Sequence, residues 1–152
     1  MSPAEAEAIM ARHARSFAPA ARVLGRSDRE RVARLYALCR IVDDLADEDG
    51  SPAAAGRLLA IERDLRGATG ADPVAAAARE LFDGRPLGRA VGRAAFADLV
   101  AGVRGDLGAV RMADMASLEA YARAVAGTVG IMVAVLFDVP RAWHGRAADL
   151  GR

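Results

Sequence analysis

Three times in this chain a residue able to cap a helix stands directly before a proline: Ser2-Pro3, Ser51-Pro52 and Asp72-Pro73. A serine or aspartate side chain accepts hydrogen bonds from the free amides of a helix's first turn. Proline suits the first helical position because its missing N–H would have no partner there. Each pair therefore fixes where a helix begins. Ser2-Pro3-Ala4-Glu5 adds the glutamate of a capping box, which predicts a helix from about Pro3 to Arg15. Ser27-Asp28-Arg29-Glu30 has the same pattern, and Val32, Leu35, Tyr36, Cys39, Val42 and Ala46 follow at spacings of three and four. One amphipathic helix from about Asp28 to Asp47 is the expectation.

Ser51-Pro52 opens a third helix through Leu58, Leu59 and Leu65, closed in the Gly67 to Gly70 region, and Asp72-Pro73 opens a fourth that ends near Gly84. After Pro86, the residues Val91, Phe96, Leu99, Val100 and Val103 mark a core face that ends around Asp106. Ser117 caps a long helix from Leu118 towards Val139, where Pro140 stops it, and Arg141 to Arg152 begins another helical pattern. Strand signals are nearly absent, and no repeat or linker divides the chain. An all-α helical bundle follows, as one domain over residues 1–152, long enough for a core of its own.

Charge narrows the function classes. The chain carries 21 Arg and Lys against 20 Asp and Glu, a formal net charge of +1, so nothing global argues for nucleic acid and any anion site must be local. All the strong bases are Arg, which forms bidentate contacts with phosphate, although a codon bias explains the same fact. The single Cys39 excludes an intramolecular disulfide and fits a reducing compartment. The amino terminus has no secretory pattern. The longest uncharged run, Ala124 to Phe137, is broken by Gly127, Thr128 and Gly130 and is shorter than the roughly 18 to 20 residues of a membrane span. A cytoplasmic protein, with peripheral membrane contact open to it, is expected.

Chemistry concentrates in CRIVDDLADEDG, Cys39 to Gly50, where five acids occupy seven positions. Like charges one helical turn apart cost roughly 0.2–0.5 kcal/mol per pair on an exposed helix. Asp43 and Asp47, four apart, share a helix face, and Arg40 lies on nearly the same one. Two such carboxylates suit Mg²⁺, a hard ion that takes oxygen ligands, keeps several waters and is commonly shared with substrate phosphates. Asp44 lies about 100° round the helix, and Glu48 and Asp49 fall at its end. The same run also reads as a solvated helix terminus leading into the Asp49-Gly50 turn.

The wider run LYALCRIVDDLADE, Leu35 to Glu48, resembles the first aspartate-rich motif of the squalene and phytoene synthase family, the head-to-head prenyl transferases. Upstream, His13-Ala14-Arg15-Ser16-Phe17 is similar to that family's His-x-x-Ser-Phe segment. Downstream, Tyr121 followed by VAGTVGIM, Val125 to Met132, resembles its Tyr-x-x-x-Val-Ala-Gly-Thr-Val-Gly helix, and VRGDL, Val103 to Leu107, resembles the stretch before it. The resemblance implies an isoprenoid-synthase-type bundle. There, two farnesyl or geranylgeranyl diphosphates bind with Mg²⁺ ions between two aspartate-rich helices and condense through a cyclopropylcarbinyl diphosphate to a C30 or C40 hydrocarbon.

On that resemblance Asp43 and Asp47 are the metal ligands. Arg40, His13 and Ser16 bind diphosphate, Phe17 walls the tail cavity, and Tyr36 and Tyr121 stand near the reacting carbons. Val125, Val129 and Val133 line an apolar groove in which Gly127 and Gly130 leave room for a prenyl tail. Ordinary alternatives stand beside these roles: His13 and Ser16 as a helix end, Tyr121 as a core aromatic, the glycines as close helix contacts, Cys39 as a small buried residue. SFAPAARVLG and CRIVDDLADE look most like bacterial phytoene synthases, which points to carotenoid-type isoprenoid synthesis. The family's second aspartate-rich motif follows a segment like AADLGR, Ala147 to Arg152, where this sequence stops. A carboxyl-terminal half or partner subunit is therefore the expected complement. A non-catalytic helical binding or assembly protein derived from the family is the alternative.

Overall fold

The computed structural model describes residues 2–14, 21, 23–49, 51–67, 70–105, 107 and 123–150. Among these, seven α-helices follow one another: α1 Pro3–His13, α2 Arg26–Asp44, α3 Pro52–Arg66, α4 Pro73–Phe82, α5 Arg93–Gly105, α6 Thr128–Leu136 and α7 His144–Leu150. Three five-residue π-helical turns interrupt or extend them, at Leu45–Asp49 after α2, Gly88–Gly92 before α5 and Arg123–Gly127 before α6. A 3₁₀ turn, Arg141–Trp143, leads into α7.

The helix starts written as cap plus proline are all present. Ser2 Oγ accepts from the Glu5 amide while the Glu5 carboxylate accepts from the Ser2 amide, so the capping box closes. Ser51 Oγ accepts from the Ala54 amide at 3.1 Å, and the Asp72 carboxylate accepts from the Val74 amide at 2.7 Å. Each such cap is worth about 1 kcal/mol.

The expected capping box at Ser27 is not one. Helix α2 starts earlier, with Gly25 at the cap position and no side-chain cap. Ser27 and Glu30 then lie inside the first turns, where Ser27 accepts from Arg31 at 2.8 Å and Glu30 pairs with Arg26 at 2.9 Å. The far end of α2 also differs from expectation: the α-helix stops at Asp44 and the chain continues as the Leu45–Asp49 π turn. The helix expected to begin at Ser117 is described from Arg123 onward, and Ser117 lies outside the described residues. The carboxyl-terminal pattern resolves into the 3₁₀ turn and α7.

Helix α2 runs through the middle of the bundle, with α1 against one side and α4, α5 and α6 against the others. Its Leu35, Leu38 and Val42 enter the main core with Leu58, Ile61, Phe82, Phe96, Leu99, Val100, Met132 and Val135. Its Val32, Ala33 and Ala37 meet Ala6, Met10, Ala14 and Ala21 in a smaller cluster beneath α1. The most extensive pairing in the main core is α3 on α5.

Two glycines allow close packing, one against an aromatic ring and one against backbone. A Cβ at Gly92 would sit 2.5 Å from Phe82 Cδ1, and one at Gly130 would collide with the Ala147 carbonyl, so α6 and α7 touch backbone to side-chain-free backbone. The carboxyl end of α3 is finished by arginines from other elements. Arg93 Nη2 donates to the carbonyls of Leu65 at 3.1 Å and Gly67 at 2.6 Å. Arg79 donates to those of Asp64 at 2.9 Å and Gly70 at 2.8 Å. The Asp64 and Leu65 carbonyls would otherwise lack partners at the helix end.

Candidate functional site

The last two turns of α2 and the π turn after them assemble the acidic centre. Because Leu35, Leu38 and Val42 lock one face of α2 into the core, residues at the neighbouring angular positions emerge half-buried at its edge. Arg40, Asp43 and Asp44 stand there, and Asp47 follows on the exposed side of the π turn. Cys39 and Ile41 pack against the core between them.

Asp43 is the electrostatic focus. Burial pushes its carboxyl above the usual aspartate range and the charges of Asp47 and Asp44 push it further, while only Arg40 pulls it down. Its neighbour Cys39 is driven the same way: burial, aided by the Asp43 charge, raises the thiol to about 12. A thiol so high is no nucleophile at neutral pH, and Cys39 serves as a small apolar filler, as expected.

Arg40 is not free in this arrangement. Its Nη2 lies 2.5 Å from Asp44 Oδ1, an i,i+4 ion pair with both side chains about one-third exposed. Its Nε is buried and finds no acceptor among the described residues. One edge of the guanidinium is therefore engaged, and Nε lies enclosed behind it. Sequence reasoning assigned Arg40 outward, to an anion, and passed over its pairing with Asp44, though the four-residue spacing is itself the signal for it.

The other expected site residues fall in several places. Tyr36 is half-buried and packs on the small cluster beneath α1. His13 ends α1, exposed, lining a hollow of about 380 Å³ with Glu5, Ala8, Ile9 and Arg12, none of them from α2. Val125, Val129 and Val133 are half-buried and all pack against the main core. Gly130 leaves no room for a prenyl tail, because α7 occupies the space that its missing side chain opens. Ser16, Phe17 and Tyr121 lie outside the described residues.

Among the described residues no three acidic, histidine or cysteine side chains converge as a metal cage. The donor set at α2 fits Mg²⁺ in a narrower sense. Asp47 is close enough to raise the cost of ionising Asp43, both offer hard oxygen ligands, and Mg²⁺ is commonly held by one or two carboxylates with water and phosphate oxygens completing the shell. No described helix is long and apolar enough to cross a membrane.

Comparison with known proteins adds the context. A family model described as squalene/phytoene synthase matches residues 10–152. A presqualene diphosphate synthase of Rhodopseudomonas palustris is 34% identical over 132 residues, covering 84% of this chain and 46% of that protein. A crystal structure of a dehydrosqualene synthase in complex with ligand superimposes with a TM-score of 0.81 at 30% identity, covering 98% of this chain and 52% of that one. The chain thus spans about half the length of the relatives it matches.

Proposed function

Because this chain belongs to the squalene/phytoene synthase family, we propose that it carries the first diphosphate-binding half of a Mg²⁺-dependent prenyl transferase that joins two prenyl diphosphates head to head. The observation that carries this reading is Asp43. A carboxylate that is half-buried, with two acidic neighbours and its pKa raised, opposes its own ionisation, and a bound cation reverses each of those penalties.

Asp43 and Asp47 would hold Mg²⁺, which supplies Lewis-acid neutralisation of a departing diphosphate. Arg40 has the planar fork suited to phosphate oxygens on a side chain about one-third exposed. Asp44 competes with an incoming diphosphate for the same guanidinium and holds it in place until substrate arrives. His13, Ser16 and Phe17 would flank the diphosphate and the first carbons of the tail, Tyr36 and Tyr121 the reacting carbons, and Val125, Val129 and Val133 the tail itself. A geranylgeranyl substrate and a phytoene-type product are the specific form of this proposal, and the complementary half of the metal site would come from a carboxyl-terminal half or partner subunit. A non-catalytic binding role is the second reading, favoured by the Arg40–Asp44 pair already closed on itself.

Calorimetric titration with a non-hydrolysable geranylgeranyl diphosphate analogue tests the site. Binding that requires Mg²⁺ and drops at least about tenfold in Asp43→Asn/Asp47→Asn, as the loss of a charge-assisted contact of roughly 1.4 kcal/mol would give, supports it. Equal binding by the double variant removes both aspartates from the site. Hydrocarbon formation on adding a complementary half distinguishes the enzyme from the binding protein.

A further inference from the structure

A second charged centre lies where α3, α4 and α5 meet, and no residue of α2 lines it. A hollow of about 600 Å³ is walled by Arg66, Arg79, Arg89 and Arg93, with Leu65 as an apolar wall and Asp83 as the one acid in the lining. Four guanidiniums line this small surface with one carboxylate, while Asp98 and Glu62 offset Arg66 from outside the lining, so the excess of positive charge lies on the Arg89 and Arg93 side.

Structural duties account for part of that charge. Arg79 and one edge of Arg93 close the carbonyls at the end of α3, and Arg66 turns to Asp98 at 2.8 Å and Glu62 at 3.3 Å. The remainder is unassigned. Asp83 is 3.5 Å from Arg93 Nη1 and 3.8 Å from Arg89 Nη2, longer than the roughly 2.7–2.9 Å of a good charge-assisted hydrogen bond. The Arg93 side chain is only 9% exposed, yet its Nε is buried with no acceptor among the described residues. Arg89 is 79% exposed at the rim.

The geometry points to a binding site for a phosphate-class oxyanion, with Arg93 Nη1, whose partner Asp83 stands off at 3.5 Å, as the inner donor and Arg89 as the rim residue that closes on it. Buried donors already oriented by other bonds need little reorganisation to accept such an ion. The carbonyls at the end of α3, which would repel an anion, already receive hydrogen bonds from Arg79 and Arg93. The hollow is far larger than one inorganic phosphate, so the group recognised is the head of a larger molecule, either a soluble phosphate ester or a phospholipid. This site is independent of the diphosphate reading for α2.

The test uses the whole chain in EDTA, which silences any Mg²⁺-dependent site. Thermal unfolding is followed against inorganic phosphate, with chloride at matched ionic strength as control. Arg89→Gln is the main variant because an exposed rim residue can be changed without unfolding the chain, and Arg40→Gln controls for the acidic centre. Saturable stabilisation by phosphate, half-saturating at about fivefold higher concentration in Arg89→Gln and unchanged in Arg40→Gln, is expected. Stabilisation that never saturates, or that Arg89→Gln leaves untouched, overturns the site. Co-sedimentation with phosphatidic acid vesicles then identifies the source: retention lost in Arg89→Gln assigns a lipid headgroup, and no retention beside a saturable phosphate effect assigns a soluble ester.

Discussion

Helix α2 is held between two apolar clusters of different quality. On one side Leu35, Leu38 and Val42 meet Phe82, Phe96, Leu58 and Ile61, all essentially excluded from solvent. On the other, Val32, Ala33 and Ala37 meet an α1 face built from Ala6, Ala14 and Met10. A buried Leu or Phe side chain contributes roughly 1.5–3 kcal/mol, whereas an alanine methyl contributes about 0.8. The first cluster fixes α2 and the acids at its end. The second holds α1 by small side chains and one half-exposed ion pair, Arg29 to Glu7 at 3.2 Å, so α1, with His13 at its tip, is the element that can open at low free-energy cost while α2 stays in place.

Deepening the contrast from the strong side gives the largest effect. Phe96→Ala should cost about 3–5 kcal/mol in urea unfolding, since Phe96 is fully buried among α3, α5 and α6 contacts. A loss under about 1 kcal/mol would mean that this cluster is not what holds the molecule together. Met10→Ala should cost about 2 kcal/mol, and the cost should be local. Hydrogen exchange should accelerate across α1 and leave α5 unchanged; uniform acceleration would make the two clusters one cooperative unit.

The smallest effect concerns a burden placed on the strong side. The folded state holds the Asp43 proton to higher pH than the unfolded chain does. Stability is therefore unaffected at acid pH and declines as pH rises from the ordinary aspartate range through the raised value. Asp43→Asn removes that decline. Without Mg²⁺ its melting temperature should match the parent's in acid and exceed it by about 1–3 °C at pH 7. A variant less stable than the parent at pH 7 would show that the carboxylate is already satisfied by the chain.

What the sequence made legible was local. Ser2, Ser51 and Asp72 could be read as caps because the amides they accept from lie two or three residues away. Ser27 carried the same pattern and misled: the helix begins one residue earlier, at Arg26, and Glu30, which a capping box would use, pairs with Arg26 instead. The acids of α2 were legible as a centre, since they share one element, and the match of residues 10–152 to a family model bears out the family read from three ordered motifs. Arg93 was not legible. An arginine in an amphipathic stretch reads as solvated, and the carbonyls it serves lie 26 and 28 residues earlier in the chain. Gly130 was ambiguous for the same reason: its neighbour Ala147 belongs to another helix, so its sequence could suggest an open space that the fold fills.

The Leu45–Asp49 π turn makes the acidic centre a matter of counting. A π turn holds one residue more than an α turn, and one residue is about 100° of rotation. The direction in which Asp47 faces is thus set by how many residues separate it from Asp43, independently of what they are. Substitutions inside the segment can leave that bearing intact, while the loss of a single residue would swing the second carboxylate a quarter of a circle or more from the first. An alignment that scores only identities would treat those two changes as equals; for this helix they are opposite kinds of event.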